Sequence, residues 1–364
     1  MLPKWFNDWN RDNPKNIFGP AILIGAIGGA VFLAALIVTW GQPYATASIQ
    51  TGPRGTGMSV TKFADAPAVD PTLEAYTTEE PIVPEGGEDL AKDIYENVQV
   101  LGDLTDDNFN RLMLAITEWV SPEQGCAYCH GDEGEFASDD LYTKVVSRRM
   151  IQMTQTLNDD WGGHTQVVGA GVNCYTCHRG ENVPSNIWFQ IDPVNEAASG
   201  WSANQNRVTS QSGSTSLPSD ALHKLLGQEG LIKVHDLESQ VPTEEGRPSI
   251  QDTERTYSLM NYISNSLNVN CNFCHNSRAF YDGAEVTPQW ATALLGIDMV
   301  REMNQEYLTP LRDTYPENRL GPVHGDAPKA ACATCHKGWS KPMGGADMIS
   351  DWPELAAPGA PEYE

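Results

Sequence analysis

The stretch Cys174-Tyr-Thr-Cys177-His178 decides how this chain folds, because the pattern Cys-x-x-Cys-His occurs four times in the sequence. The other copies are Cys126-Ala-Tyr-Cys129-His130, Cys271-Asn-Phe-Cys274-His275 and Cys332-Ala-Thr-Cys335-His336. Together they use all eight cysteines, which leaves none for a disulfide framework. The pattern is the attachment signature of c-type haem: two thiols bind the porphyrin, and the imidazole that follows binds the iron. The sequence therefore predicts four covalently bound haems.

Zinc binding and thiol redox chemistry also use Cys-x-x-Cys pairs. A zinc ribbon needs two such pairs, but it does not need a histidine directly after each second cysteine. A thioredoxin-like motif occurs once, beside a βαβ pattern that this sequence lacks. Since histidine follows all four pairs, the complete pattern favours haem.

The overall composition excludes some partners and suggests others. The net charge of −25 would repel nucleic acid and favours a basic protein partner. Apolar residues make up 40% of the 364 residues, beside 24 Pro and 32 Gly. This is a modest supply for a large conventional core, so we expect the macrocycles to fill part of it.

An uncharged, largely apolar run at residues 17–40 is long enough to cross a bilayer, which takes a helix of about 20 residues. Basic side chains at positions 4, 11 and 15 precede it, so the positive-inside rule places the N-terminus in the cytoplasm. The alternative is a cleaved signal peptide, because Ala45-Thr46-Ala47 resembles a cleavage site. The apolar part of such a peptide is normally only about 7–15 residues. We therefore expect a single-pass anchor in a bacterial inner membrane.

The remaining sequence predicts a mainly α-helical fold with short helices and long irregular segments. Helices are expected at about 105–120, 139–157, 253–267 and 288–308, with Thr105 as the cap of the first. The order of helix, motif, helix and motif occurs twice, which suggests two pseudo-repeated halves with paired haems. We divide the chain into a cytoplasmic N-terminus (1–16), a transmembrane anchor (17–40), an extended periplasmic tether (41–84), a first-and-second-haem half (85–198), a linker or insertion (199–249) and a third-and-fourth-haem half with the C-terminal tail (250–364).

The second axial ligand of each iron decides between electron transfer and substrate chemistry. Ligation by His/Met or His/His closes the iron for outer-sphere electron transfer, whereas an open position would suggest an enzyme. Met113 and Met260 each lie in the helix before a motif, 17 residues before His130 and 15 before His275. Either Met150 or Met153 could serve the second haem.

Four histidines lie outside the motifs, and spacing alone does not separate them as ligands. They are His164, His223, His235 and His324. Three basic residues follow the motifs closely and could pair with haem propionates, although exposed charge explains them equally well. They are Arg179, Arg278 and Lys337.

Three stretches carry a resemblance to a known family. They are residues 142–150 (YTKVVSRRM), 171–180 (GVNCYTCHRG) and 271–276 (CNFCHN). With these motifs the chain resembles the tetrahaem cytochrome subunit of the photosynthetic reaction centre of purple bacteria, from about residue 85 onward. Better-known members carry a lipidated N-terminal cysteine. Every cysteine here belongs to a haem motif, so the apolar helix would replace the lipid as the anchor.

The resemblance implies three haems with His/Met ligation and one with His/His ligation. Carried over by position, Met113 would close the first haem, Met150 the second and Met260 the third. His164 would reach across to the fourth haem, whose motif histidine is His336. The resemblance thus favours Met150 over Met153 and His164 over His324.

The resemblance also implies a function and partners. Family members re-reduce the photo-oxidised special pair of the reaction centre and are not enzymes. Their electrons come from a soluble cytochrome c or a high-potential iron–sulfur protein, and they bind the membrane subunits and the light-harvesting antenna. In the family, the third haem lies nearest the special pair and the first lies farthest away. The acidic segment 85–107 would then face basic donors.

Two other functions remain open from the residues alone. A membrane-anchored tetrahaem cytochrome that oxidises quinol would share the anchor and the motifs, although such proteins are usually shorter and rely on His or an open site. A multihaem reductase or peroxidase would need a five-coordinate iron beside acid–base residues. The spacing of the methionines favours closed irons and electron transfer over both.

Overall fold

The computed structural model describes residues 3–14, 19–40, 46–50, 58–63, 79–131, 134–167, 170–191, 208–232, 234, 250–280 and 282–363. Within these ranges the fold is mainly helical, as predicted. The α-helices are α1 (Lys4–Asp12), α2 (Gly19–Trp40), α3 (Ala91–Ile94), α4 (Asp106–Val120), α5 (Ala127–His130), α6 (Tyr142–Asp159), α7 (Gly162–Thr165), α8 (Cys174–His178), α9 (Ala221–Leu225), α10 (Ile250–Leu267), α11 (Pro288–Glu302) and α12 (Cys332–His336). Strands β1 (Thr46–Gln50) and β2 (Ser59–Phe63) form a two-stranded sheet.

Several single turns complete the described fold. The 3₁₀ turns are Ser210–Ser212, Cys271–Phe273, Thr309–Asp313, Glu317–Arg319, Pro342–Gly345 and Pro353–Leu355, and a π-helical turn covers Met303–Leu308.

Helix α2 corresponds to the predicted membrane anchor. It begins at Gly19, and residues 17 and 18 of the predicted run lie outside the described residues. Its 18-residue segment Ile22–Thr39 is apolar enough to cross a membrane, and none of it is buried within the protein. Before it, α1 carries Trp9, whose ring occupies the space that a side chain at Gly19 would need.

Helix α4 begins where the sequence predicts. The Thr105 hydroxyl accepts a hydrogen bond from the Asn108 backbone N–H, and two aspartates in the first turn favour the helix dipole. The preceding arm lies on this helix, since the Asn108 side-chain amide donates to the Ile82 carbonyl at 2.6 Å. The helix that carries Met113 is therefore fixed at its N-terminal end.

The other three predicted helices exist with shifted ends. Helix α6 begins at Tyr142 rather than 139, and α10 begins at Ile250 rather than 253. The predicted helix 288–308 is α-helical only to Glu302 and continues as a π-helical turn. The buried Asn304 explains this turn: its side-chain amide donates to the Ala330 carbonyl at 2.9 Å, while its side-chain oxygen accepts the Ala330 N–H. A tertiary contact thus overrides the helical periodicity.

One buried cluster contains residues from both predicted halves and from the segment between them. It draws on Leu157 and Val172 from the first half, Leu222 and Leu226 from the middle, and Ile263 from the second. The segment 199–249, predicted to be a linker or insertion, therefore contributes helix α9 to the core. Its leucines are fully buried or nearly so, because they are spaced to line one face of that short helix.

A second buried cluster joins the C-terminal tail to the first half. Trp352 packs edge-on against Trp119 of α4, with ring centroids 4.7 Å apart, and Leu355 is fully buried in the same cluster. Trp352 and Leu355 of the tail thus pack with residues of α4 and α6.

Candidate haem sites

The four motifs all lie on single helical turns. In the first and third motifs, the histidine N–H donates to the carbonyl of the first cysteine, at 3.0 Å for His130 and 2.9 Å for His275. Residues i, i+3 and i+4 of a helical turn share one face. Each turn therefore presents two thiols and one imidazole on the same side, and all eight cysteines are free thiols.

The motifs at 174–178 and 332–336, here called the inner motifs, share one local structure. In both, the threonine of the spacer accepts the backbone N–H of the residue before the motif: Thr176 from Asn173 at 3.1 Å, and Thr334 from Ala331 at 3.0 Å. The residue after each histidine has left-handed backbone, with φ of 55° and 48°. In each inner motif, a side chain of the motif itself thus satisfies a backbone N–H at the start of the turn.

The motifs at 126–130 and 271–275, here called the outer motifs, share a different structure. A threonine at the start of the following helix donates to the second spacer residue: Thr143 to the Tyr128 carbonyl at 2.6 Å, and Thr287 to the Phe273 carbonyl at 2.7 Å. A phenylalanine ring lies against each motif histidine, at centroid distances of 4.9 Å and 5.4 Å. The first cysteine of each outer motif is exposed.

Backbone carbonyls fix the motif imidazoles through Nδ1. His178 donates to Glu181 at 2.9 Å, His336 to Trp339 at 2.8 Å and His275 to Phe280 at 3.0 Å. Nδ1 of His130 is buried beside Phe136 and makes no hydrogen bond. A hydrogen bond from Nδ1 to a carbonyl leaves Nε2 free to bind the metal. Metal-binding histidines are usually supported by a hydrogen bond of this kind. These side chains fit the role of proximal haem ligand.

His164, on the short helix α7, lies opposite the fourth motif histidine. Its ring centroid is 6.2 Å from that of His336, and the ring planes make an angle of 69°. The Thr292 carbonyl accepts its Nδ1–H at 2.8 Å. Burial lowers the pKa of His164 and lowers that of His336 to about 4, so both rings are neutral at pH 7. Sequence spacing could not bring these two residues together, because they are 172 positions apart.

The other non-motif histidines have different surroundings. His324 is an exposed residue of a surface turn. His223 lies on α9, where its Nε2 contacts the Gln228 side chain at 3.2 Å. His235 lies outside the described residues. Of the histidines that spacing left open, the structure brings His164 next to a motif imidazole.

The predicted methionine ligands lie on the helices expected for them. The Thr117 hydroxyl, one turn after Met113, donates to the Met113 carbonyl and lies 4.0 Å from Sγ of Cys126. This face of α4 is therefore turned toward the first motif. Three methionines are half-buried beside the cluster that contains residues of both halves. They are Met150, Met153 and Met260. The burial of Met150 and Met153 is alike, so it does not show which of them is the ligand.

The inner motifs are adjacent to each other. The thiols of Cys177 and Cys335 are neighbours, and the Cys335 thiol lowers the pKa of Cys177. Beside them, Nε and Nη2 of Arg179 are buried without a hydrogen-bond partner, and burial together with the Arg179 charge lowers the pKa of Lys337. Two buried guanidinium nitrogens without a partner fit an anionic group such as a haem propionate. Arg278, by contrast, pairs with Glu285 at 2.6 Å.

The donor geometry also tests the zinc alternative. In the part of the chain that the structure describes, no three or more His, Cys, Asp or Glu side chains converge as a metal site. A structural zinc site needs four such ligands. Haem attachment needs only two thioether bonds and one imidazole, and each motif turn offers these groups.

Sequence reasoning missed the residues that support the motifs. Thr176 and Thr334 occupy the same spacer position in two of the four motifs, which was a visible signal. Gly296 lies in the interior of a predicted helix, where an isolated glycine indicates a close approach. A side chain there would collide with the His164 ring.

Comparison with known proteins places the chain in a family. Residues 41–356 match the family described as photosynthetic reaction centre cytochrome C subunit. The photosynthetic reaction center cytochrome c subunit of Roseobacter denitrificans is 66% identical over the whole of both chains. The protein of that name from Rubrivivax gelatinosus is 41% identical over 93% of this chain and 92% of its own. The one from Thermochromatium tepidum is 44% identical over 73% of this chain and 64% of its own.

These matches confirm the resemblance and do not favour the quinol-oxidising alternative. They agree with the free thiols, the anchored imidazoles and the apolar helix α2. The chain belongs to the family of photosynthetic reaction centre cytochrome c subunits, which are membrane-associated electron-transfer proteins with covalently bound c-type haem and not enzymes.

Proposed function

We propose that the chain holds four c-type haems and carries electrons from a soluble periplasmic donor to the photo-oxidised special pair. Haem supplies reversible one-electron chemistry at an iron whose axial ligands set the potential. Each of the four turns offers two thiols and an imidazole on one face. The two thiols would form thioether bonds to the porphyrin, and the imidazole would bind the iron.

The observation that carries the proposal is the distance between His164 and His336. Two imidazoles bound to opposite faces of one metal, with metal–nitrogen bonds of about 2 Å, have ring centroids about 6 Å apart. The 6.2 Å separation fits this arrangement, and both rings have Nδ1 tied to a carbonyl so that Nε2 is available. We assign these two residues as the axial pair of the fourth haem.

The other three irons would have His/Met ligation. Met113 would serve with His130, because its helix face lies against Cys126. Met150 would serve with His178 and Met260 with His275, and both methionines are half-buried beside the cluster that contains residues of both halves. A closed iron exchanges electrons without binding a substrate, which agrees with the family's role.

The contact between the inner motifs supports a linear order of attachment sites. Because Cys177 and Cys335 are neighbours, the second and fourth haems would lie side by side. The first and third would then lie at the two ends, with the third nearest the special pair. The shared structure within the inner motifs, and within the outer motifs, supports an origin of the chain from two paired-haem halves.

An acidic surface near the first haem supports a basic donor. The segment that leads into α4 exposes several carboxylates, whereas its single lysine, Lys92, is paired with Asp103 at 2.6 Å. The exposed acidic residues are Glu85, Glu88, Asp89, Asp93, Glu96 and Asp107. Such a field speeds the encounter with a basic soluble cytochrome c or iron–sulfur protein.

We also propose a topology for the membrane anchor. Helix α2 would cross the inner membrane once, with the basic N-terminus in the cytoplasm and the haem-binding part in the periplasm. Its apolar surface would contact lipid, the reaction-centre membrane subunits or the light-harvesting antenna. The aromatic side chains Trp5 and Trp9 suit the membrane interface.

Flash spectroscopy on native membranes tests the function. A single flash is expected to oxidise haem promptly, and a flash that leaves haem reduced would contradict the role. The ligand assignment is tested by a redox titration of His164→Met, which should raise the potential of one haem, because thioether ligation favours ferrous iron. The control His324→Gln should leave all four potentials unchanged. The opposite result would return the ligand role to His324.

A further inference from the structure

Gly296 is an unfavourable choice for its position. It lies in the interior of α11, where glycine is less favourable than alanine because it loses more backbone freedom. The residue is buried. A Cβ atom built on it would lie 2.5 Å from Cε1, 2.9 Å from Nδ1 and 3.1 Å from Nε2 of His164. The His164 ring therefore occupies the space that a side chain at position 296 would need.

The same helix holds the segment around His164 at two further points. Thr292, one turn before Gly296, accepts the His164 Nδ1–H at 2.8 Å. At the C-terminal end of α11, Glu302 accepts the Nε1–H of Trp161 at 3.2 Å. Helix α11 thus fixes the rotation of the ring through Thr292, while Gly296 sets how closely the ring approaches the helix.

The opposite imidazole is oriented by hydrogen bonds that do not involve α11. His336 is fixed by its own motif turn and by the Trp339 carbonyl. The separation of the two rings therefore depends on where α11 allows His164 to lie. A side chain at position 296 would displace the ring, and any displacement of more than a few tenths of an ångström would change the 6.2 Å separation.

We propose that Gly296 is a positioning residue for the fourth haem, and that its lack of a side chain sets the axial distance between His164 and His336. This inference rests on the proposed function, in which these two imidazoles share one iron. Gly296 does not touch the iron in this scheme and acts only through His164.

The test is Gly296→Ala in the intact reaction-centre complex. Alanine favours the helix, so the variant should fold and take up its haems. We expect a high-spin ferric signal from one haem, an upward shift of that haem's potential, and no change in the other three. Added imidazole should restore the low-spin signal. The control Ala291→Ser adds an atom at an exposed position of the same helix and should change no haem.

A second variant separates the two levels of the proposal. His164→Ala removes the proposed ligand itself and should produce the same single-haem change. If His164→Ala changes one haem and Gly296→Ala changes none, the role of Gly296 is wrong and the ligand assignment stands. If His164→Ala changes no haem, both the ligand assignment and the role of Gly296 are wrong.

Discussion

The inner and outer motifs have the same sequence pattern but are held in different ways. Each inner motif closes its own turn with a threonine three residues from the cap position and with a left-handed residue after the histidine. Each outer motif depends on a later helix, through Thr143 or Thr287, and on a phenylalanine that lies against its histidine. Local hydrogen bonds close the inner turns, even though Thr334 also donates to the Asn186 carbonyl, whereas the outer turns rely on a threonine of a later helix.

This difference matches the positions proposed for the haems. The inner motifs touch each other through Cys177 and Cys335, so their surroundings are protein. The outer motifs expose Cys126 and Cys271, where a donor and an acceptor could approach. Self-contained turns suit the centre of a chain of carriers, whereas exposed turns at its ends need support from elsewhere in the protein. The following changes are expected to affect one kind of motif and spare the other.

The largest effect is expected at a buried ion pair that joins α4, the helix of Met113, to the C-terminal tail. Arg111 of α4 contacts Glu354 of the C-terminal tail at 2.6 Å, and the two side chains are 3% and 0% exposed. Glu354→Ala would leave the Arg111 charge buried without its partner. We expect a loss of about 3–5 kcal/mol in the free energy of unfolding, measured by denaturant titration.

The double variant Arg111→Met/Glu354→Leu is the matched control, since it removes both charges and keeps the volume. It should recover most of the lost stability, because well-packed apolar residues commonly replace a buried ion pair without loss. The spectrum of the first haem should change in Glu354→Ala, because Met113 lies two residues after Arg111. A first-haem spectrum equal to that of the parent would contradict the link between this ion pair and the position of Met113.

The next effect concerns the self-closing of the inner motifs. Thr334→Val leaves the Ala331 N–H without its acceptor in a buried turn. An unsatisfied buried donor costs about 1–3 kcal/mol, so a loss of that size is expected on thermal or denaturant unfolding. Thr176→Val should behave alike. Thr334→Ser keeps the hydroxyl and should stay near the parent. A serine variant as unstable as the valine variant, which keeps the methyl group, would show that the hydrogen bond to the hydroxyl does not account for the loss.

The sequence predicted local features well and long-range ones poorly. The cap at Thr105 and the existence of the helix that carries Met113 follow from nearby residues, and the structure has both. The π-helical turn depends on Asn304 reaching Ala330, and the place of the C-terminal tail depends on Trp352 meeting Trp119. No periodicity within one helix encodes such contacts.

The candidate site divides in the same way. The thiols and proximal histidines follow from the motif spacing, because one helical turn contains all three groups. The approach of His164 to His336 joins two distant parts of the chain, and a third element, α11, holds the first ring. Sequence spacing made His164 and His324 equally good candidates for the ligand of the fourth haem. The resemblance to known proteins favoured His164, and the fold places it beside His336.

A smaller effect should separate the inner motifs from the outer ones by charge. Arg179 follows an inner motif and is half-buried, with two buried nitrogens that lack a hydrogen-bond partner. Arg278 follows an outer motif and is paired with Glu285. A buried cation stabilises ferrous haem. Arg179→Gln should therefore lower the potentials of both inner haems, by on the order of 1–2 kcal/mol or several tens of millivolts, for a charge acting over about 10 Å at an effective dielectric constant of about 20.

The control for this prediction is Arg278→Gln, which removes the same charge from an exposed and already neutralised pair. Its potentials should stay within the error of a redox titration. A drop confined to the outer haems in Arg179→Gln, or an equal drop in both variants, would show that burial does not decide the influence of these charges.

The smallest effect is expected at Asp139, whose carboxylate supports the loop of the first outer motif. It pairs with Arg148 at 2.8 Å and with Lys144 at 3.3 Å, and Lys144 also donates to the Phe136 carbonyl. The hydrogen bond from Arg148 holds the pKa of Asp139 well below its ordinary value. A carboxylate with a lowered folded pKa stabilises the fold above its unfolded pKa of about 4, and this contribution is lost as the pH falls through the folded pKa.

Asp139→Asn should therefore be less stable than the parent at pH 7, by less than about 1 kcal/mol because the pair is partly exposed to solvent. The difference should shrink as the pH falls below about 4, where the parent loses the same contribution. Asp140→Asn removes an equal charge one position away and is the control for net charge. Since Phe136 lies against His130, acid strong enough to protonate Asp139 in the folded protein should perturb the first haem before either inner haem. If acid perturbed the inner haems first, the inner motifs would not be more resistant to acid than the first outer motif.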